Sequence, residues 1–182
     1  TRLVYMGAGA TWKPEEFLEG AGDRWCLLGE PEHTLRDLAA IWRGERPEED
    51  TPGLAWATQS GWARGPFRPL LDIPSLPIPD RTLLLGQYRA NRLEVGPVTT
   101  MVVSRGCGFR CTFCCTNAVD QAIELEFKRG QPTYVERPPL RKRTVDQIVE
   151  EFQQIHALGI RGVEIADNIF TWGKSRTIEI CE

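Results

Sequence analysis

Ser104-Arg105-Gly106-Cys107-Gly108-Phe109-Arg110-Cys111-Thr112-Phe113-Cys114 is the stretch on which the reading of this chain turns. It follows directly on Thr99–Val103, a short β-rich run. Thiolates are the usual ligands of iron–sulfur clusters. Three of them on one tight loop can hold three irons of a 4Fe-4S cube and leave the fourth open to another ligand, the logic of an open catalytic metal site. Gly106 and Gly108 let the backbone wrap closely and aim N–H groups at sulfide. A structural zinc site would show two separated cysteine pairs, and the adjacent Cys114 and Cys115 would chelate one zinc poorly. A ferredoxin-type carrier would want a fourth cysteine at fixed spacing, often with a trailing proline.

Beyond the loop, a long connection runs to about Arg143, within which 118–128 could be helical. Thr144 and Gln147 fit a capping box. Val145, Ile148, Val149, Phe152 and Ile155 supply an apolar helical face, and Gly159 ends it. Ile160–Ala166 reads as the next strand, parallel to Thr99–Val103, with Asp167-Asn168 at its end and another helix from about Thr171. This βαβα order is the repeat of an α/β barrel or open sheet.

Ahead of the loop the order is again α/β. Leu3–Met6 reads as a buried strand, followed by the loop Gly7-Ala8-Gly9-Ala10 and a short helix near Pro14–Glu19. Trp25–Leu28 is a strand. A helix over about Thr34–Arg43 puts Leu35, Leu38, Ala39 and Trp42 on one face. Leu54–Thr58 and Gly61–Ala63 form a hairpin around Gln59-Ser60. Six of the thirteen prolines fall between Thr51 and Asp80, which marks a boundary segment. The division expected is a first domain over 1–80, a linker over 81–96 and a second domain over 97–182.

The chain has 182 residues and a formal charge of −3. That balance does not advertise a nucleic-acid or anionic-membrane partner, since both reward dense Lys and Arg. No apolar run reaches the roughly 18–20 residues that cross a bilayer, and no signal-peptide layout is present. A cytoplasmic location is the default expectation. Of the six cysteines, four sit at 107, 111, 114 and 115, which in a reducing compartment points to metal or redox chemistry. Cys115 reads as an apolar filler rather than a ligand, and Cys26 and Cys181 as incidental. His33 reads as a polar loop residue, and His156 as a mild complement to a helix C-terminus. The opening in an apolar strand and the close inside a helical pattern suggest an internal fragment of a longer protein.

Cys-x-x-x-Cys-x-x-Cys after a strand, with an aromatic before the last cysteine, resembles the radical S-adenosylmethionine superfamily. Thr144–Gly159 looks like that family's first barrel helix, and Gly162–Thr171 like its second strand and Asp-bearing end. The front half narrows the match. Gly7-Ala8-Gly9-Ala10-Thr11, Pro14-Glu15-Glu16, Gly29-Glu30-x-Glu32-x-Thr34-Leu35 and Ile73-Pro74-x-Leu76-Pro77-x-Pro79-Asp80 resemble the cobalamin-binding class. That class includes methyltransferases and the anaerobic cyclase of magnesium-protoporphyrin monomethyl ester. The chain departs from the pattern at Ala8 and Pro31, where glycine is frequent, and at Ala166, where a second Asp is. It has no Asp-x-His-x-x-Gly cobalt-ligand motif.

The resemblance implies the C-terminal part of a Rossmann-like cobalamin-binding domain, followed by the first βα units of a partial barrel. It implies a 4Fe-4S cluster on Cys107, Cys111 and Cys114, S-adenosylmethionine at the open iron, and cobalamin. Phe113 would lie against the adenine. Asp167 is a candidate acceptor for the methionyl amino group, with capping of the following helix as the rival reading. Gly7 and Gly9 would let a cofactor tail approach. A small-molecule substrate and a reductant such as flavodoxin or ferredoxin complete the expected partners. The rival functions are a tRNA methylthiotransferase-like enzyme and a non-catalytic iron–sulfur module.

Overall fold

Alternating side chains in Arg24–Leu27 build the first sheet. Trp25 and Leu27 face one side and Cys26 the other, as the two-residue strand period requires, and all three are buried. In the computed structural model, which describes residues 1–20, 22–66, 68–83, 96–107, 109, 111, 113–114 and 140–182, the chain divides into two compact units. The first comprises Thr1–Leu71 with Phe109–Pro138, the second Asp72–Gly108 with Pro139–Glu182.

In the first unit, β1 (Leu3–Met6) pairs in parallel with β2 (Arg24–Leu27). β2 pairs antiparallel with β3 (Leu54–Thr58), and β3 with β4 (Gly61–Arg64), giving the order β1-β2-β3-β4. The β3–β4 hairpin closes at Thr58 and Gly61, around Gln59-Ser60 as expected. α3 (Pro31–Trp42) covers one face, with Leu38 packed among Trp25, Leu27, Leu54 and Trp56. α1 (Ala8–Trp12) and α2 (Pro14–Leu18) cover the other, with Ala10 and Leu18 against Cys26 and Ala55.

Three local expectations are corrected here. Ala8–Trp12 is a helical turn, not a loop: Gly7, at φ +96°, reverses the chain, and its carbonyl accepts from both the N–H and the hydroxyl of Thr11. β1 is half exposed, because among the described strands it lies at the sheet edge and pairs only with β2. On α3 the buried positions are Thr34, Asp37 and Leu38, while Leu35 and Trp42 are exposed. The inward face is turned by one residue because Asp37 is held by Arg68 and by Arg46 at 3.1 Å, and the Thr34 hydroxyl donates to the Pro52 carbonyl.

In the second unit, β5 (Val98–Met101) pairs in parallel with β8 (Gly162–Ile165), in the register Val98–Gly162 through Met101–Ile165. Between them lies α4 (Val145–Ala157), opened by the reciprocal capping box of Thr144 and Gln147. Ile148 and Ile155 on α4 pack with Met101, Val103 and Ile160, whereas Val149 is exposed. α5 (Lys174–Cys181) begins after Gly173, later than the Thr171 expected. A two-stranded ribbon had no counterpart in the sequence reading: β6 (Ser104–Arg105) pairs antiparallel with β7 (Arg141–Lys142).

The two units part at Leu71–Asp72. The prolines from Pro74 to Pro79 go with the second unit for two reasons. The Gln147 side chain donates to the Pro74 carbonyl at 2.6 Å. Arg81 is buried, donating to the Thr100 carbonyl at 2.9 Å and to Glu151 at 2.5 Å. Among the described residues no helix is long and apolar enough to cross a membrane. The 118–128 stretch and Cys115 lie outside the described residues.

Candidate cluster and cofactor site

The parallel β5–β8 pair brings both strand ends to one edge of the second unit. β5 leads through Val103 into β6 and then to Gly106 and Cys107, while β8 leads to Asp167 and Asn168. Cys107 is half buried there. The backbone ahead of it is tied down on both sides. Met101 accepts from the Ala166 N–H at 2.8 Å, and Val103 accepts from the Arg143 N–H at 3.1 Å. The Val103 N–H and the Ser104 hydroxyl donate to the two carboxylate oxygens of Asp167, at 2.8 and 2.6 Å. The Asn168 amide donates to the Gly106 carbonyl at 3.5 Å.

Asp167 therefore does not cap the following helix. α5 starts at Lys174, with Gly173 at its N-cap position and no side-chain cap. Each carboxylate oxygen already accepts one hydrogen bond from the strand that leads into the cysteine loop.

In the first unit, the Cys114 N–H donates to the Cys111 carbonyl at 3.1 Å, so these two cysteines stand on one turn. Cys111 is exposed and Cys114 half buried, and neither they nor Cys107 are joined in a disulfide. Accessible thiols that can ionise are the donor type an iron–sulfur cluster needs. Among the described residues, no three His, Cys, Asp or Glu side chains are gathered into a metal cage. Phe113 is 91% exposed, open to a flat ligand. Cys26 has another character: burial pushes its thiol up to about 11, and its Sγ lies 3.9 Å from the Pro14 carbonyl.

The first unit also holds a small cleft, lined by Thr11, Leu28, Gly29, Glu30, Arg64 and Arg68 among others. It opens where β1 and β2 end, the edge at which α/β sheets bind ligands. The Gly29 N–H donates to the Thr11 hydroxyl at 3.0 Å, linking the end of β2 to α1. Glu30 accepts from the Leu71 N–H at 2.8 Å. Gly7 has open space where a Cβ would stand, whereas a Cβ on Gly9 would meet the Phe17 ring at 3.1 Å. Gly9 is thus closely packed against Phe17, while Gly7 leaves room for an approaching group. Arg68 went unread in the sequence because nothing local marks it as a partner of Asp37 and Pro52, residues before β3.

The chain superposes on OxsB, a cobalamin-dependent S-adenosylmethionine radical enzyme solved with aqua-cobalamin bound. The TM-score is 0.66 at 22% identity, over 98% of this chain and 23% of that one. It also superposes on the radical S-adenosylmethionine methyltransferase TsrM from Kitasatospora setae, solved with cobalamin and a 4Fe-4S cluster. Here the TM-score is 0.61 at 20% identity, over 97% of this chain and 32% of that one. The fold is that of the cobalamin-dependent radical S-adenosylmethionine enzymes. The resemblance read from the cysteine loop and the front half is borne out by these structural neighbours. In sequence, the chain is 30% identical over 157 residues to an uncharacterized methyltransferase of Pyrococcus horikoshii, PH0819, covering 85% of this chain and 30% of that protein. It spans less than a third of the length of each of these three proteins. No protein-family model matches it.

Proposed function

We propose that this chain is the central portion of a cobalamin-dependent radical S-adenosylmethionine enzyme that transfers a methyl group to, or cyclises, a small-molecule substrate. The observation that carries this reading is the position of Cys107. It follows β6, at the C-terminal edge of the parallel β5–β8 pair, in a chain whose fold matches such enzymes over nearly its whole length. Active groups of parallel barrels gather at that edge.

Cys107, Cys111 and Cys114 hold the cluster in this reading, each thiol giving up its proton to bind one iron. Bound there, a 4Fe-4S cluster would supply the one-electron reduction that cleaves the sulfonium C–S bond of S-adenosylmethionine. Phe113 offers its exposed ring to the adenine. Gly7 and the cleft beside Thr11 and Gly29 receive part of the cobalamin periphery, since the cleft is too small for the whole cofactor. These 182 residues contain no Asp-x-His-x-x-Gly motif, so none of them is assigned to the cobalt. A flavodoxin or ferredoxin supplies the electron, in the cytoplasm. A methylthiotransferase would need a second cysteine set ahead of the loop. Cys26 stands alone there and is sealed in the core.

The test uses the full-length protein, reconstituted anaerobically with iron and sulfide. It should form 5′-deoxyadenosine from S-adenosylmethionine under reduction. It should also lose its iron–sulfur absorbance when Cys107, Cys111 or Cys114 becomes Ala, and keep it in Cys115→Ala. Iron uptake without any 5′-deoxyadenosine would favour the non-catalytic module. Loss of the chromophore in Cys115→Ala but not in Cys114→Ala would overturn the ligand assignment.

A further inference from the structure

Asp167 lies 64 residues from Val103 in sequence, yet both of its carboxylate oxygens are engaged with the last residues of the strand that carries the cysteine loop. Val103 is 1% exposed and Ser104 7%. A buried N–H left without an acceptor costs free energy, so the Val103 N–H has reason to hold the carboxylate. Asn168 extends the grip to Gly106, the residue directly before Cys107. On the opposite side, β7 pairs with Ser104 and Arg105, and Arg143 bonds Val103. Every residue from Val103 to Gly106 is thus held by the end of β8, by β7, or by both.

We infer that Asp167, assisted by Asn168, is a positioning residue for Cys107: it fixes the backbone from Val103 to Gly106 and so sets where the first cluster thiolate stands. This rests on the cluster reading above and gives Asp167 a role other than binding the methionyl ammonium. The two roles differ in what they ask of the side chain. An ammonium ligand needs the negative charge. A clamp needs one acceptor facing Val103 and one partner facing Ser104. Asparagine meets that need, because its oxygen accepts from the Val103 N–H and its NH2 donates to the Ser104 hydroxyl oxygen. Alanine supplies neither.

The experiment compares Asp167→Asn and Asp167→Ala in the full-length protein. In the cluster-free protein, amide hydrogen exchange across Val103–Cys107 is read by mass spectrometry. In the reconstituted, reduced protein, the electron paramagnetic resonance signal of the cluster and the affinity for S-adenosylmethionine are read. The alanine variant should exchange about tenfold faster over that stretch, as expected when a charge-assisted bond to a buried N–H is lost. Its cluster signal should change. The asparagine variant should match the unmodified protein in exchange, signal and affinity.

The inference is overturned if asparagine keeps the exchange rate and the signal but loses affinity about tenfold, the result for an ammonium ligand. It is also overturned if alanine leaves both exchange and signal unchanged. Should Asp167→Ala fail to fold, Ser104→Ala and Asn168→Ala each delete a single bond, and unchanged exchange in both overturns the clamp. Failure of the unmodified protein to take up iron would count against the cluster reading alone, because the exchange measurement still decides whether Asp167 holds the strand.

Discussion

Glu151 accepts a hydrogen bond from Arg81 at 2.5 Å in the interior of the second unit, where Glu151 is 1% exposed and Arg81 6%. Arg143 pairs with the other carboxylate oxygen. One anion thus answers two buried cations, and it joins the proline-rich segment ahead of β5, the start of α4 and, through Arg81, the strand β5. Removing one partner of a buried ion pair leaves uncompensated charge and costs about 3–5 kcal/mol. Glu151→Ala strands both arginines and should lower unfolding free energy by about that amount, measured by urea denaturation. A loss below about 1 kcal/mol would show that water reaches the site and that the network is not the staple described.

The Gln147 side chain works twice. Its oxygen accepts from the Thr144 N–H at 3.1 Å, and its nitrogen donates to the Pro74 carbonyl at 2.6 Å. Thr144→Ala removes only the N-cap and should cost about 1 kcal/mol. Gln147→Ala should cost more, by about another 0.5–1.5 kcal/mol for the lost bond to Pro74. Thermal melts of the two variants, ranked side by side, check this. Equal destabilisation would mean that the Pro74 bond contributes nothing.

Cys26 should resist alkylation at neutral pH in the folded protein, while the cluster-free Cys111 is modified. Cys111 is exposed, whereas Cys26 is sealed in the core, where burial raises its thiol from 9.0 to about 11. Timed iodoacetamide labelling with mass mapping reads the difference. The same shift carries a pH signature. Below pH 9 the thiol is protonated in both folded and unfolded chains, and stability does not respond to it. As pH climbs from 9 toward 11 the unfolded chain ionises first, so stability should fall across that window and level off above it. Cys26→Ala should flatten the decline.

Gly65 offers a steric test of the cleft. A Cβ there would lie 2.1 Å from the Thr51 carbonyl oxygen, a backbone atom that cannot swing aside. Gly65→Ala should therefore displace the end of β4 and destabilise by about 1–3 kcal/mol. Gly7→Ala meets open space and carries only the strain of φ +96°, about 1–2 kcal/mol. Circular dichroism melts should rank Gly65→Ala as the more damaging. The reverse order would mean that backbone strain at Gly7 outweighs the clash at Gly65.

What the sequence made legible was local. The capping box at Thr144, the hairpin around Gln59-Ser60 and the parallel pairing of the strands on either side of α4 each follow from a few neighbouring residues. What it hid depends on distant partners. Asp167 was read as a ligand or a cap because its acceptors' donors, Val103 and Ser104, lie 64 and 63 positions away. The inward face of α3 was misplaced because Thr34 and Asp37, polar by type, are buried by bonds to Pro52, Arg46 and Arg68. One signal was present and unused. Glu151 stands three residues after Ile148 and four before Ile155, on the apolar side of α4, where a carboxylate requires a cation.

The short ribbon of Ser104–Arg105 against Arg141–Lys142 has a consequence for how much the chain can vary between its two strands. It is a collar: the chain leaves the ribbon at Arg105 and returns at Arg141, and the two ends are pinned a strand's width apart. The entropic cost of closing a loop grows only with the logarithm of its length, about 0.6 kcal/mol for each doubling. Residues added or deleted inside the collar, after the last cysteine of the loop, should therefore cost β5, β6 and α4 little and leave Gly106 in place.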